Sequence, residues 1–295
     1  MTVALRRRAV RTLPLVPAVI LMGIFLLGPI AWSLYGSLTD AALTGRAAAD
    51  PQWVGLENYA RLLSDPVFPQ SVGLTVLFTL VSAVLAQTIL GLGVAVIMTR
   101  ASARLGAVVA TVIVAAWILP ELVAAFVAYA FFSQDGTLNQ LLALLGLEGP
   151  NWLFGFPMIA VIIANIWRGT AFSMMIYQAA LDDVPRDIIE AAMLDGANGA
   201  KRLLHVTLPM IRQTITTTLM LITLQTLSVF TLIWVMTAGG PGNASTTLPL
   251  YAFKEAFRFG NIGYGTAIAT VMLVVGAIFA VVYIRALRAP RERIA

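Results

Sequence analysis

The stretch SVGLTVLFTLVSAVLAQTILGLGVAVIM, residues 71–98, decides the fold because it contains no charged side chain. A helix needs about 20 mostly apolar residues to cross the hydrocarbon core of a bilayer, so this run is long enough for one transmembrane helix. Five further stretches are similarly long and mostly apolar. The sequence therefore predicts six spans, at about 13–35, 71–98, 107–132, 157–180, 213–237 and 263–285.

The composition of the 295-residue chain agrees with these spans. Apolar residues make up 59% of the chain and charged residues 11%, whereas soluble domains carry about 25% charged residues. A soluble fold would lack the charge to cover its surface, and the absence of cysteine excludes a disulfide scaffold. We therefore exclude a soluble enzyme and a disordered protein, and we predict an all-α polytopic membrane protein.

The basic residues indicate the orientation. Fourteen of the nineteen Lys and Arg residues fall in the two tails and in segments 99–106 and 181–212, with Arg285 at the membrane edge counted in the second tail, and four fall in the loops between. Lys and Arg accumulate on cytoplasmic loops, so both termini are predicted to be cytoplasmic, which requires an even number of spans. Because these residues flank spans instead of lining one face, the net charge of +5 does not indicate nucleic acid as a partner.

The predicted organisation has three parts. A cytoplasmic tail at 1–12 precedes a six-span domain at 13–285, whose core is about 71–285, and a second cytoplasmic tail occupies 286–295. The first apolar stretch is longer than the core of a signal peptide and lacks a convincing cleavage site, so we interpret it as an uncleaved span.

The sequence shows no catalytic motif. Its one histidine and lack of cysteine argue against a His/Cys metal site. The segment Gly196–Lys201 lacks the Gly-Lys-Ser/Thr ending of a phosphate-binding loop and does not follow a strand. We therefore predict no enzyme activity and no bound cofactor or metal. Uphill transport would draw its energy from an ion gradient or from another subunit.

Two charged residues, Glu121 and Arg168, fall near the middle of predicted spans. An isolated charge there costs about 2.5–3.5 kcal/mol on insertion scales, and such residues usually face the protein interior. One hypothesis is that the two form an ion pair and line a polar path with Asn165, Gln87 and Gln225. The alternative is that Arg168 caps backbone carbonyls and Glu121 reaches water.

The longest predicted cytoplasmic segment, 181–212, reads LDDVPRDIIEAAMLDGANGAKRLLHVTLPMIR. Asp182 or Asp183 can cap a helix whose first turn contains Pro185, and Gly196 provides its stop. A second helix is predicted to run to His205, with Pro209 ending it. The residues alone leave open whether this amphipathic pair lies on the lipid interface or docks on another protein.

The spacing within this segment resembles the EAA loop of permease subunits of bacterial ABC importers. The family pattern is Glu-Ala-Ala, three residues, Gly, nine residues, an aliphatic residue, any residue and Leu-Pro, and every spacing matches. The resemblance implies a coupling helix that contacts the ATPase subunit. The residues carrying it are Glu190, Ala191, Ala192, Asp195, Gly196 and Ala197, with Leu208 and Pro209 at the return into the membrane.

Two other segments resemble the carbohydrate-uptake branch of this family, of the MalF or UgpA type. Trp53–Tyr59 contains Val-Gly-Leu-Glu-Asn-Tyr, and 236–242 reads MTAGGPG, followed by Tyr251 and Glu-Ala-Phe at 255–257. The family often has Phe-Asp where this chain has Phe230-Thr231, so the aspartate's role is not carried over. Phe230 and Thr231 remain candidates for the translocation path.

The resemblance implies the type I ABC importer permease fold and a sugar, polyol or glycerophosphate solute. The implied partners are a MalG-like second permease, two ATPase subunits that use ATP and Mg²⁺, and an extracytoplasmic solute-binding protein. The chain would lie in the inner membrane of a bacterium or archaeon. The alternative is an ion-coupled secondary carrier that uses Glu121 and Arg168.

Overall fold

A computed structural model describes residues 15–288, except for the side chains of Ala103 and of 286–288. The predicted tail at 1–12 lies outside the described residues, as do residues 289–295 of the second predicted tail.

The described chain folds into helices joined by short connections, and π-helical turns interrupt several of the helices. In chain order they are α1 (Val16–Gly36), α2 (Arg46–Ala49), α3 (Glu57–Ser64), α4 (Val67–Met98), α5 (Ala103–Ile118), α6 (Glu121–Phe132), α7 (Thr137–Leu144), α8 (Trp152–Gly155), α9 (Pro157–Asp182), α10 (Arg186–Leu194), α11 (199–210), α12 (Arg212–Leu227), α13 (Thr231–Thr237), α14 (Leu248–Phe253, followed by a π turn at Lys254–Arg258) and α15 (Ile262–Arg288).

Within residues 15–288, four helices, α1, α4, α9 and α15, are long and apolar enough to cross a bilayer alone. Two more spans arise only if bent pairs are each counted as one. The pair of α5 with α6 and α7 bends by 105°, and the pair of α12 with α13 bends by 47°. The stretches 107–132 and 213–237, each predicted as one span, are therefore broken helices, and the described residues of the other four stretches are helical throughout.

The first break has a clear cause in the sequence. Pro120 has no backbone N–H to donate, and its ring pushes the preceding residue out of the helical region. Leu119 accordingly has ψ of 132°, and the backbone N–H of Ala124 donates to the Pro120 carbonyl as α6 begins. The second break, at 228–230, contains no proline.

The described chain divides into two compact units. One contains 15–65 with Tyr251–Leu273, and the other contains Pro66–Leu250 with 274–288. The second holds two apolar clusters. The first cluster joins α4, α6, α9 and α13 through residues such as Phe78 and Ile233, and the second buries Tyr177 completely between α4 and α9.

Close approach of α4 to α9 depends on glycine. A Cβ placed on Gly91 would lie 2.6 Å from Cβ of Ser173 and 3.0 Å from the Met174 backbone nitrogen. Real Cβ atoms do not approach that closely, so only glycine fits at this crossing. Small residues at helix interfaces commonly allow such contact within membranes.

Candidate functional site

A cavity of about 210 Å³ lies where α4, α9, α12 and the break before α6 meet. It brings together five of the seven residues predicted to line a path. The lining residues are Gln87, Trp117, Glu121, Asn165, Arg168, Gly169, Phe172, Ile222, Gln225, Thr226, Ser228 and Val229. Phe230 and Thr231 are outside this lining.

Both helix breaks border the cavity. Glu121 is the first residue of α6 because Pro120 interrupts the helix, and Ser228 directly follows the last residue of α12. Non-helical backbone at membrane depth is tolerated where it lines a cavity. The two bends therefore lie at the wall of this cavity, whose polar lining residues include Glu121, Asn165 and Arg168.

The two charged groups of the cavity do not form the predicted ion pair. Among the described residues, no nitrogen–oxygen distance of 4.0 Å or less joins Arg168 to Glu121. Oε1 of Glu121 and Nε of Arg168 are both buried and have no hydrogen-bond partner in the structure. The structure therefore places the two groups in one cavity without the direct contact of the hypothesis.

The side-chain amide of Gln87 in α4 donates a hydrogen bond to α9, and that of Asn165 in α9 donates one to α4. Nε2 of Gln87 donates to the backbone carbonyl of Asn165 at 3.0 Å. Nδ2 of Asn165 donates to Oγ of Ser82 at 2.8 Å, and that hydroxyl donates to the Phe78 carbonyl at 2.6 Å. These bonds join α4 to α9 at the wall of the cavity.

The aromatic residues divide between the cavity and other sites. Trp117 and Phe172 stack within the lining, with ring centroids 5.8 Å apart. Phe230 stacks on Trp234 at 6.1 Å and packs against the larger apolar cluster, while Thr231 begins α13. The sequence analysis did not identify Trp117 and Phe172 as lining residues. The available signal was their closeness in sequence to Glu121 and Arg168, within the same predicted spans.

The loop between α9 and α12 contains two helices, as predicted, with different ends. α9 continues through Asp182, so neither Asp182 nor Asp183 caps the next helix; Pro185 precedes α10 and no side chain caps it. Gly196 has φ of +79° as expected of a left-handed helix stop. The N–H of Ala197 donates to the Ala192 carbonyl and closes the turn.

Pro209 does not end the second helix of the loop. α11 runs through Pro209 to Met210, and a π turn at Leu203–Thr207 precedes the proline. The N–H of Leu208 donates to the Leu203 carbonyl, five residues back. The wider turn accommodates a residue that has no N–H and whose ring crowds the carbonyl four residues earlier.

Most of the apolar side chains of α10 are exposed. None of its residues is buried, and Leu194 at its end is 89% exposed. A cleft of about 490 Å³ separates α10 from the ends of α4 and α9, and Arg100 and Glu190 are among its lining residues. The sequence-predicted residues 190–192 and 195–197 thus lie on an exposed helix and its closing turn.

A polar network holds the segment after α1. Asp65 Oδ2 accepts hydrogen bonds from the hydroxyls of Tyr251 at 2.5 Å and Tyr264 at 3.0 Å. The guanidinium of Arg61 lies 4.0 Å from the centre of the Tyr264 ring and 3.6 Å from Glu255 Oε2. Burial, together with the bond to Asp65, raises the pKa of Tyr251 well above its usual value.

The Val-Gly-Leu-Glu-Asn-Tyr segment joins the same unit. Nδ2 of Asn58 donates to the carbonyls of Ser37 and Thr39, and the hydroxyls of Tyr59 and Ser37 lie 2.7 Å apart. This segment therefore fixes the chain that leaves α1. Among the described residues, no group of three or more His, Asp or Glu side chains is placed to hold a metal ion.

Comparison with known proteins gives consistent matches. Residues 87–293 match the family described as "Binding-protein-dependent transport system inner membrane component". The sulfoquinovosyl glycerol transport system permease protein SmoG of Agrobacterium fabrum is 32% identical over 95% of this chain and 91% of its own length. The trehalose/maltose transport system permease protein MalF of Thermococcus litoralis is 36% identical over 81% of each chain.

Solved structures share the fold. A crystal structure of a bacterial ABC transporter that imports the acidic polysaccharide alginate contains a chain with a TM-score of 0.82 and 20% identity, covering 98% of this chain and 100% of that one. In a complex with an alginate pentasaccharide-bound periplasmic protein, the score is 0.81 at 20% identity, with 95% and 94% covered.

Proposed function

Because this chain belongs to the family of binding-protein-dependent transport system inner membrane components, we propose that it imports a carbohydrate or a carbohydrate-containing solute. It is the permease subunit of an ABC importer, and it has no ATPase site of its own. The alternative of an ion-coupled carrier is not favoured, since the relatives of this chain are importer permeases. The proposed solute class is supported by relatives that are named for the transport of a sugar or a glycoside.

The cavity at Glu121 and Arg168 is the proposed solute contact of this subunit. A carboxylate accepts hydrogen bonds from hydroxyl groups and a guanidinium donates them, so the pair suits a solute with many hydroxyls. The stacked rings of Trp117 and Phe172 offer an apolar face beside these groups. Few polar groups among apolar walls are typical of small-molecule sites.

Of the other predicted path residues, Gln225 also lines this cavity, while Phe230 and Thr231 would act only if the pathway extends along α13. In our proposal a second, MalG-like permease supplies the facing half of the path, so the solute is shared between two chains.

The exposed helix α10 is the proposed contact with the ATPase. Three of its apolar residues, Ile188, Met193 and Leu194, are exposed by 38%, 49% and 89%. Burial of such side chains against a partner contributes about 25 cal/mol per Å². Glu190, Ala191 and Ala192 on the helix, and Asp195, Gly196 and Ala197 in its closing turn, would form the contact. Leu208 and Pro209 lie in α11, which leads back to α12.

The proposed cycle assigns chemistry to the partners and movement to this chain. Two ATPase subunits bind ATP with Mg²⁺ on the cytoplasmic side, and their closure moves α10. A solute-binding protein delivers solute on the opposite side, in the inner membrane of a prokaryote. The basic residues of 99–106 and 181–212 support this orientation.

Purification and solute-stimulated ATP hydrolysis test the proposal. The chain, expressed with its neighbouring genes, is expected to elute with an ATPase. Hydrolysis in liposomes is expected to rise with the cognate binding protein and one member of a panel of trehalose, maltose and sulfoquinovosyl glycerol. Stimulation by an amino acid and by no sugar or glycoside would contradict the solute class.

A charge reversal separates docking from solute recognition. Glu190→Lys is expected to abolish co-elution, while Glu148→Lys, an exposed acidic residue between α7 and α8, is the matched control and should leave it intact. Uptake of solute by vesicles that contain this permease but no ATPase would instead establish the ion-coupled carrier.

A further inference from the structure

Gln87 lines the cavity, but its contacts differ from those of a solute ligand. Its side chain is 2% exposed, and its amide nitrogen is engaged by the backbone carbonyl of Asn165. That carbonyl has a second lone pair, so it can accept this bond in addition to the bond within α9. Gln87 is therefore attached to one turn of α9.

The same turn of α9 is shaped to receive Gln87. A Cβ on Gly169 would lie 2.3 Å from Cδ and 2.4 Å from Nε2 and Oε1 of Gln87. The amide group thus lies flat on the surface that the glycine leaves bare, four residues after the carbonyl to which it donates. Arg168, which directly precedes Gly169, is the cationic group of the cavity.

A π-helical segment of α4 sets the register of this contact. Thr79–Gln87 has the wider turn, and it contains both Ser82 and Gln87. In a regular α-helix two residues five apart point about 140° away from each other, whereas the i→i+5 turn brings them close to one face. Both residues accordingly contact Asn165: Ser82 accepts a hydrogen bond from its side-chain amide, and Gln87 donates one to its backbone carbonyl.

From these contacts we propose that Gln87 is a positioning residue that holds the Arg168 turn of α9 against α4 and so keeps the guanidinium facing the cavity. Ser82, Gln87 and Asn165 each donate a hydrogen bond within the protein, and these connected bonds hold the turn in place. The proposal rests on the cavity that the proposed function assigns to the solute, but its test needs neither solute nor transport.

The cavity can be probed by charge because the chain contains no cysteine. Ser228 is exposed and lines the cavity, so Ser228→Cys places one thiol there. Its reaction rates with a cationic and an anionic methanethiosulfonate reagent report the local charge in the purified complex. Mass-tag labelling of this chain separates it from any cysteine of its partners.

The reference for a lost guanidinium is Arg168→Gln in the Ser228→Cys background. It is expected to lower the ratio of anionic to cationic rates by about five- to thirtyfold, because one unit charge about 4–8 Å away in water changes the two rates in opposite directions by about two- to sixfold each. Gln87→Met keeps the length of the side chain and removes the amide N–H that donates to the Asn165 carbonyl. It is expected to shift the ratio most of the way to the Arg168→Gln value, and an unchanged ratio in a complex of normal yield would overturn the proposal.

A size exchange provides the second test and covers the case in which Gln87→Met accumulates poorly. Gly169→Ala is expected to displace the Gln87 amide and shift the rate ratio in the same direction. Combining it with Gln87→Ala removes the clashing side chain, so the yield of assembled complex should return toward that of Gln87→Ala alone. A yield that falls further in the double variant would show that Gln87 does not occupy this surface and would contradict the proposal.

Discussion

Glu121 and Arg168 line one cavity from different helices, α6 and α9, and no nitrogen–oxygen distance of 4.0 Å or less joins them. A buried ion pair that loses one member costs about 3–5 kcal/mol, because the remaining charge is left without a partner. Two charges that face a cavity without contact do not carry that penalty. The structure therefore shows two charged groups that line one cavity and do not form an ion pair with each other.

The first prediction concerns single neutralisations of these groups. Glu121→Gln and Arg168→Gln should each leave the amount of purified complex within about a factor of two of the native amount, since neither breaks an ion pair. Each should lower solute-stimulated ATP hydrolysis. Measured yields that collapse in both single variants and recover in the double variant would show that the pair forms after all.

The residues in the sequence predicted much of this arrangement. The six apolar stretches, the helix stop at Gly196 and the meeting of Glu121, Arg168, Asn165, Gln87 and Gln225 follow from span length, glycine conformation and the depth of charges in lipid. These signals are local or set by the bilayer, so they can be obtained without knowing how the helices pack.

The remaining features depend on tertiary contact. The 47° bend at 228–230 has no proline to mark it, and the π turn at Thr79–Gln87 leaves no local signal in the sequence. The closeness of Gly169 to Gln87 is equally hidden, because a glycine in a helix shows its purpose only when another helix approaches. The missing ion pair between Glu121 and Arg168 likewise reflects the space between helices.

The second prediction concerns the crossing of α4 and α9. Gly91→Ala should lower the thermal midpoint of the purified complex, because its Cβ would lie 2.6 Å from Cβ of Ser173 and overpacking costs about 1–3 kcal/mol. Gly93→Ala is the matched control in the same helix, since a Cβ there meets nothing within 4 Å. Equal midpoints for the two variants would contradict the close crossing.

The third prediction concerns the exposed end of α10. Leu194→Glu should reduce co-elution with the ATPase at least tenfold while the chain reaches the membrane in normal amounts, because its side chain contacts little of this chain at 89% exposure. Leu145 is 76% exposed in the connection after α7, on the side of the membrane predicted to lie opposite to the cytoplasm. Leu145→Glu makes the same substitution there and is the matched control. Equal loss of ATPase in both variants would contradict a docking role specific to α10.

The fourth prediction is the pH dependence of the network around Asp65. Burial and the bond to the Asp65 carboxylate raise the pKa of the Tyr251 hydroxyl above its unfolded value of about 10. A raised pKa in the folded state stabilises the protein below the unfolded pKa, and this contribution falls as the pH rises beyond it. Tyr251→Phe should therefore cost about 2 kcal/mol at pH 8, the scale of a hydrogen bond to a charged acceptor.

The difference in stability between the native protein and Tyr251→Phe is then expected to shrink as the pH is raised above about 10. Only the native chain has this hydroxyl and must keep it protonated in the folded state. Thermal midpoints of the detergent-purified complex at pH 8 and pH 10.5 measure it. Tyr129→Phe removes a hydroxyl from a half-exposed side chain in α6 and provides the control, with no change in the difference expected. A Tyr251→Phe difference that stays constant across this range would exclude a stabilising proton at Tyr251.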